Sequence, residues 1–128
     1  MTALPEEVHD LLDSPQFASL ATIEPTGQPH LSVVWFKREG DDILVSTVRG
    51  RRKAVNIDRD ARATLLVHDS ANPYRYVEIR GAVTVVDDPP GSLINELSLR
   101  YKGVPWTTDK PGTERVIVRL SPAKVVVH

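Results

Sequence analysis

Short apolar runs rich in β-branched residues recur along the whole chain, and each ends at a turn signal within a few residues. The run Ile43–Val48 is typical, because Val and Ile dominate it and Gly50 follows almost at once. Runs of this length between Gly, Pro and Asp clusters favour strands over helices. The other predicted strands cover residues 17–23, 30–37, 63–67, 74–86, 116–120 and 124–127. The first two form a hairpin across Pro25–Gly27, while Asn72–Pro73 and Ser121–Pro122 are expected to separate later strands.

Helical patterns are few and short. They cover residues 5–14, 53–58 and 92–100, with Ser92 as a candidate cap for the last helix. Residues 102–113 contain Gly and Pro and predict a long loop. Strands dominate and hairpin-length turns join them, so the pattern predicts a mainly β antiparallel barrel or sandwich with peripheral helices.

Composition narrows the class of protein. The chain has 128 residues, a length that fits one domain over residues 1–128, and a formal net charge of −1. It contains no cysteine, which excludes disulfides, thiol nucleophiles and cysteine-based metal sites. The acidic start lacks the layout of a signal peptide, and no apolar run approaches the ~20 residues that span a bilayer. We expect a cytoplasmic protein that binds neither membrane nor nucleic acid.

One segment is strongly basic, although the net charge of the chain is close to zero. Arg49, Arg51, Arg52 and Lys53 surround Gly50, between a strand and the helix predicted over 53–58. Cations at a helix N-terminus oppose the helix dipole, at a cost of about 0.3–1 kcal/mol each. A bound anion would relieve this conflict, because helix N–H groups and basic side chains both favour one. The alternative is a solvated basic turn that binds nothing.

Catalytic side-chain motifs are missing from the sequence. It has no phosphate-binding loop, Gly-x-Gly-x-x-Gly, His-Glu-x-x-His or Gly-x-Ser-x-Gly pattern. The histidines lack metal-ligand spacing, so no metal site is predicted, although His30 and His68 could share a pocket if their strands were neighbours. The pairs Asp41/Asp42 and Asp87/Asp88 lie in predicted turns, whose chemistry accounts for them. Chemistry would then come from a cofactor held at the basic cluster.

Several segments, in order, resemble a known family. They are Phe17–Ile23, Gly27–His30, Ser46–Thr47, Arg51–Ile57, Asp60–Ala63, Tyr76–Gly81, Arg100–Gly103, Glu114–Val116 and Ser121–Val125. Together they resemble the split β-barrel flavin and deazaflavin oxidoreductases related to pyridoxine 5′-phosphate oxidase. Among these, the chain looks most like the small branch that uses the deazaflavin coenzyme F-420.

The resemblance implies a split β-barrel of the FMN-binding, pyridoxamine 5′-phosphate oxidase-like type, and a set of cofactor-binding residues. Arg51 and Lys53 would hold the cofactor phosphate with Asn56 nearby, and Ser46 and Thr47 would bond the phosphate or the ring. Ser32, Val33, Val34 and Trp35 would run beside the ring, while Tyr74, Arg75 and Tyr76 would approach from the second protomer of a homodimer. The alternatives are that Val33 and Val34 are core, Trp35 anchors the dimer, and Tyr74 and Tyr76 only cap the barrel edge.

The activity implied is an F-420-dependent reductase that passes a hydride from reduced F-420 to a small conjugated organic acceptor. The alternatives are an FMN-binding oxidoreductase of the same fold and a non-catalytic protein that sequesters F-420. The proton would come from Tyr74, Tyr101 or water. Trp106, in the 102–113 loop, either stacks on the acceptor at the open face of the cofactor or packs on the end of the barrel.

Overall fold

A computed structural model describes residues 2–128, which form an antiparallel sheet of seven strands with short helices around it. The strands are β1 (Ala18–Ile23), β2 (Pro29–Val34), β3 (Lys37–Glu39), β4 (Asp42–Val48), β5 (Arg62–Asp69), β6 (Asn72–Asp87) and β7 (Arg115–Val127). A 3-10 turn at Glu6–Val8 leads into α1 (His9–Asp13), and the later helices are α2 (Arg52–Arg59) and α3 (Ser92–Lys102). The predicted mainly β architecture is confirmed. Within residues 2–128, every helix is too short or too polar to cross a bilayer.

The sheet is rolled into a barrel. Its strand order is β2-β1-β5-β6-β7-β4-β3, so β2 and β3 are the two edges. Only Trp35 and Phe36 separate these edges along the chain. Three steps between Cα atoms span at most about 11 Å, so the edges must come together. Val34 of β2 and Val45 of β4 accordingly belong to one buried cluster, which fills the inside of the roll.

The second predicted strand ends earlier than expected. The hairpin itself is confirmed, with Ala18 opposite Val34 across β1 and β2. The extension of this strand to Lys37 is wrong, because the hydroxyl of Tyr101 accepts the Phe36 N–H at 3.2 Å. The same hydroxyl donates to the Gln16 carbonyl at 2.6 Å. The Tyr101 side chain thus takes up backbone hydrogen bonds at the point where the chain passes from edge strand β2 to edge strand β3.

Two predicted strand breaks are also wrong. Asn72–Pro73 opens β6, since the turn falls at residues 70–71. Ser121–Pro122 lies inside β7, opposite a register shift between Arg80 and Gly81. Proline, which has no N–H to donate, is tolerated at such irregularities. A Cβ on Gly81 would lie 1.9 Å from the carbonyl oxygen of Ser121, so the close approach at the shift requires glycine.

Helix α3 is capped by a different residue from the one predicted. The N-cap residue is Gly91, which has no side chain to form a capping hydrogen bond. The buried carboxylate of Asp88 instead accepts the N–H groups of Ser92 at 3.1 Å and Leu93 at 2.9 Å. Asp88 is therefore the cap of the helix that covers the site, not a solvated turn residue.

Candidate functional site

The turn after β4 places the basic cluster at the start of α2. Gly50 has a φ of 94°, a left-handed conformation that favours glycine. Arg51 follows as the N-cap residue, and its side chain makes no capping hydrogen bond. The positive end of α2 therefore carries basic side chains and no side-chain cap, which is the arrangement that favours an anion.

Arg51 and Lys53 have no carboxylate partner among residues 2–128. Arg49, in the same turn, lies against Asp87. Within residues 2–128, by contrast, no carboxylate oxygen lies within 4.0 Å of the Arg51 guanidinium or the Lys53 ammonium. Burial, and then the neighbouring charge of Arg51, lowers the pKa of Lys53 below its usual value. An anion bound between the two cations would offset both effects.

A buried hydroxyl beside these cations also lacks a partner. Thr47, near the end of β4, is only 2% exposed. Its Oγ1 forms no hydrogen bond with any of residues 2–128. Buried polar groups are nearly always bonded, and an unpaired one costs about 1–3 kcal/mol. Thr47 and the free cations together fit an oxygen-rich anionic group such as a phosphate.

Aromatic side chains form another part of the site. The Trp35 ring stacks on Tyr101, with centroids 5.2 Å apart and planes 13° apart. Trp106 meets Trp35 edge to face at 6.1 Å and 88°. The two indoles thus make a corner whose flat faces suit a planar conjugated group.

Asp109 fixes one side of this corner. Its carboxylate accepts hydrogen bonds from the indole N–H of Trp106 at 2.9 Å and from Nε and Nη2 of Arg115, each at 2.8 Å. The Arg115 guanidinium lies 5.2 Å from the centre of the Trp106 ring. Arg115, and then the Trp106 N–H, lowers the pKa of Asp109 from 3.8 to about 2, so the carboxylate is charged at neutral pH.

The cations, hydroxyls and aromatic groups line one pocket of about 200 Å³. Its lining residues are Val33, Val34, Trp35, Ser46, Thr47, Arg51, Lys53, Ile94, Leu97, Trp106 and Arg115. The anion half of the pocket is Ser46, Thr47, Arg51 and Lys53. The aromatic half is Trp35, Trp106 and Arg115, with Asp109 behind it.

Comparison with known protein families shows which family the chain belongs to. The family model described as pyridoxamine 5′-phosphate oxidase matches residues 4–128. The chain belongs to the pyridoxamine 5′-phosphate oxidase family. The predicted resemblance is therefore confirmed, and the fold is that of flavin-type oxidoreductases. No curated protein sequence gives a significant match.

Solved structures of similar proteins agree with this family. A protein described as an F-420 reductase is 34% identical, with a TM-score of 0.86 over 96% of this chain and 98% of its own. A conserved hypothetical protein from Mycobacterium tuberculosis is 30% identical, with a TM-score of 0.79 over 98% and 84%. A pyridoxamine 5′-phosphate oxidase-related FMN-binding protein from Nostoc punctiforme shares the fold, at 14% identity and a TM-score of 0.63 over 86% and 72%.

In the present protein, most of the predicted cofactor-binding residues lie together. Val33, Val34, Trp35, Ser46, Thr47, Arg51 and Lys53 all line the pocket. Ser32, between Leu31 and Val33 on β2, is not among the lining residues, although its Oγ is also buried without a hydrogen bond. Their role in binding a cofactor stays a prediction.

Asn56 does not reach the pocket. It is fully buried on the inner face of α2, where its amide donates to the hydroxyl of Thr22 at 3.1 Å. Arg59 donates to its side-chain oxygen at 3.4 Å. Because both ends of the amide are bonded, Asn56 fastens α2 to β1 and has no free group to offer a phosphate in this arrangement.

The predicted segment 74–76 lies on β6, away from the pocket of its own chain. The Tyr74 side chain is largely exposed, at 87%. Arg75 forms a bidentate ion pair with Asp10, at 2.7 and 3.1 Å, and Tyr76 stacks on His128 at 4.6 Å. A role for these residues would therefore require a second protomer, as the prediction states.

The strand order does not bring His30 and His68 together. His30 and His68 do not lie on neighbouring strands, because β1 separates β2 from β5. Within residues 2–128, no cluster of side chains is arranged to hold a metal ion.

The Tyr101 hydroxyl is already committed to Gln16 and Phe36, and burial raises its pKa. It is therefore a poor candidate for the proton donor.

Ile94, Leu97 and Arg115 line the pocket and were not predicted from the sequence as site residues. Ile94 and Leu97 follow a helical pattern that predicts only packing, and α3 turns both toward the site. Arg115 gave no signal, because its partner Asp109 reaches it only when the 103–114 loop folds back over β7. Trp106 was expected in this region, and it lines the pocket.

Proposed function

We propose that this protein is a deazaflavin-dependent reductase that binds coenzyme F-420 and transfers a hydride from its reduced form to a small conjugated organic acceptor. The anion half of the pocket holds the cofactor phosphate. Val33, Val34 and Trp35 lie beside the cofactor ring, and the remaining aromatic surface receives the acceptor.

The observation that carries this proposal is the division of the pocket. Arg51 and Lys53 lack carboxylate partners, and the buried Thr47 hydroxyl beside them lacks any partner within residues 2–128. Trp35 and Trp106, whose rings lie at right angles to each other, line the same pocket. A ligand with a phosphate at one end and a planar conjugated system at the other would satisfy both halves. The similarity to an F-420 reductase, at 34% identity over nearly the whole chain, supports F-420 ahead of FMN.

A reduced deazaflavin supplies hydride, so the protein need not supply a nucleophile or a metal ion. The chain's own residues position and desolvate the reactants. Arg51 and Lys53 neutralise the phosphate, Thr47 donates to one of its oxygens, and Ile94 and Leu97 exclude water from the inner wall. The proton that completes reduction comes from water or from Tyr74 of a second protomer, since the Tyr101 hydroxyl is occupied.

The proposal includes a homodimer. The pocket of about 200 Å³ is small beside the ~300–1,000 Å³ usual for ligand pockets, so one chain forms only part of the site. Leu31 and Val33 on the outer face of β2 are 68% and 70% exposed. Exposed aliphatic residues on an edge strand, continuous with the pocket, favour an interface there. The single domain expected over residues 1–128 is then one half of a two-site assembly.

The direct test is a titration of the purified protein with F-420 and with FMN, followed by turnover with reduced F-420 and a panel of enones and quinones. The proposal predicts that F-420 binds more tightly than FMN and that reduced F-420 is oxidised only when an acceptor is present. Tighter binding of FMN would favour the FMN-binding alternative. Binding of F-420 without turnover of any acceptor would favour a sequestering protein.

A further inference from the structure

Arg115 is the cation of the pocket whose charge is already neutralised. Its side chain is only 8% exposed, and two of its nitrogens bond the Asp109 carboxylate at 2.8 Å. Arg51 and Lys53, which line the same pocket, have no such partner among residues 2–128. The pocket is therefore lined by two cations whose charge is not balanced by a carboxylate and by a third whose charge is balanced.

The Arg115–Asp109 pair still has hydrogen-bond donors to offer. A guanidinium carries five N–H groups. Nε and Nη2 serve Asp109, while Nη1 has only the Ser46 hydroxyl, at 3.4 Å, near the limit for a hydrogen bond. Arg115 lines the pocket, so these Nη1 donors are available to a ligand there.

We infer that Arg115 is a specificity-determining residue that binds an uncharged carbonyl oxygen of the acceptor, with Asp109 as its positioning residue. This inference rests on the proposed function, because the acceptor is the ligand of the aromatic half. An ion pair with free N–H groups bonds a neutral oxygen without the net charge that attracts an anion. The acceptor class is thus a planar conjugated ketone, aldehyde or quinone that has no carboxylate at this end.

The aromatic corner makes this assignment specific to planar carbonyl compounds. Trp106 receives the Arg115 guanidinium over its ring and donates its N–H to the same Asp109. Asp109 therefore sets the indole and the guanidinium in one fixed relation, and Trp35 adds the perpendicular wall. A planar ligand in the aromatic half would stack on an indole and accept a hydrogen bond from Nη1, because Trp35, Trp106 and Arg115 line the same pocket.

The test compares two probes of nearly the same shape, naphthyl methyl ketone and naphthoate, by calorimetric titration. An Arg51→Ala/Lys53→Ala protein is used for both probes, so that the anion half does not bind the carboxylate. We expect the ketone to bind more tightly than naphthoate. Asp109→Asn frees the charge of Arg115, and the ketone-to-naphthoate affinity ratio should fall by about tenfold or more, which is about 1.4 kcal/mol. Asp109→Glu, which keeps the charge, should retain most of the preference for the ketone.

A matched control is available among the residues that do not line the pocket. Arg38 and Asp13 form a bidentate pair with the same 2.8 Å contacts, outside the pocket. Asp13→Asn should leave the affinity ratio unchanged. If Asp109→Asn does not fold, Arg115→Gln serves instead, because the Asp109 side chain it leaves behind is 29% exposed and remains hydrated. That variant should bind the ketone several-fold more weakly and show no preference.

The inference is overturned if neither probe binds, or if the affinity ratio does not respond to Asp109→Asn or, in its place, to Arg115→Gln. These outcomes are separate from failure of the proposed function. Absence of F-420 binding to the unsubstituted protein would refute the cofactor assignment and leave the probe ratio untouched. An unresponsive ratio with intact F-420 binding would remove only the role of Arg115.

Discussion

The phenol of Tyr101 lies nearly parallel to the indole of Trp35, with ring centroids 5.2 Å apart, and its hydroxyl bonds the backbone at both Gln16 and Phe36. The Tyr101 side chain thereby stabilises the segment that connects β2 to β3, and it orients the Trp35 ring that lines the pocket. Its position on α3 links the helix to the geometry of the site.

We predict that Tyr101→Phe destabilises the protein without abolishing turnover. Removal of the hydroxyl leaves the Phe36 N–H and the Gln16 carbonyl without this partner, at a cost of about 1–3 kcal/mol. Urea unfolding measures this loss. The turnover number with reduced F-420 should stay within a few-fold of wild type, and a loss of about a thousandfold would make the Tyr101 hydroxyl the proton donor after all.

We predict that phosphate affinity falls as pH rises through the alkaline range. Burial and the nearby Arg51 lower the Lys53 pKa from 10.5, so its ammonium loses its proton earlier than that of an exposed lysine. Only the protonated form attracts the anion, and a bound phosphate raises the same pKa. Titration with phosphate across this range should show the fall, and Lys53→Arg should flatten it. An equally steep profile in Lys53→Arg would assign the titration to another group.

We predict that Trp106→Ala changes the choice of acceptor more than it changes the affinity for F-420. The indole lines the aromatic half, and its N–H is taken by Asp109, so it has no donor to offer the cofactor phosphate. Relative kcat/KM values for several enones and quinones should shift, while the Kd for F-420 stays nearly constant. Lower stability with the same order of acceptors would show that Trp106 only packs on the barrel end.

We predict that Gly81→Ala strongly destabilises the barrel. The new Cβ would meet the Ser121 carbonyl oxygen at 1.9 Å, and backbone on both strands would have to move. A cost of about 3 kcal/mol is expected, at the upper end of the range for overpacking. Thr84→Ala, an exposed change on the same strand, should cost within about 0.5 kcal/mol. Similar unfolding midpoints for the two variants would contradict the close approach at the register shift.

The parts of the site that are local in sequence could be predicted. Ser46, Thr47, Arg51 and Lys53 lie on one strand end and the turn that follows it, so their proximity follows from the strand and turn signals alone. Resemblance added Val33–Trp35, which the barrel brings to the same pocket.

The features that local sequence patterns do not predict depend on contacts between distant residues. Tyr101 is 65 positions from Phe36, and no local pattern shows that it ends β2. Asn56 lies on a helix whose inward face is set by contact with Thr22 of β1. Arg115 becomes a pocket residue only because Asp109 is brought to it by an irregular loop. Periodicity and turn signals carry no information about these contacts.

If Arg51 and Lys53 hold the phosphate of F-420, the Kd for F-420 should rise sharply in the Arg51→Ala/Lys53→Ala protein. Each charge-assisted contact is worth about 1.5–3 kcal/mol, so we expect a loss of at least a hundredfold in affinity. Stability should hold or rise slightly, since cations leave the positive end of α2. Arg49→Ala, which removes a paired cation from the same turn, is the matched control and should leave the Kd nearly unchanged. An unchanged Kd in the double variant would show that Arg51 and Lys53 do not hold the phosphate of F-420.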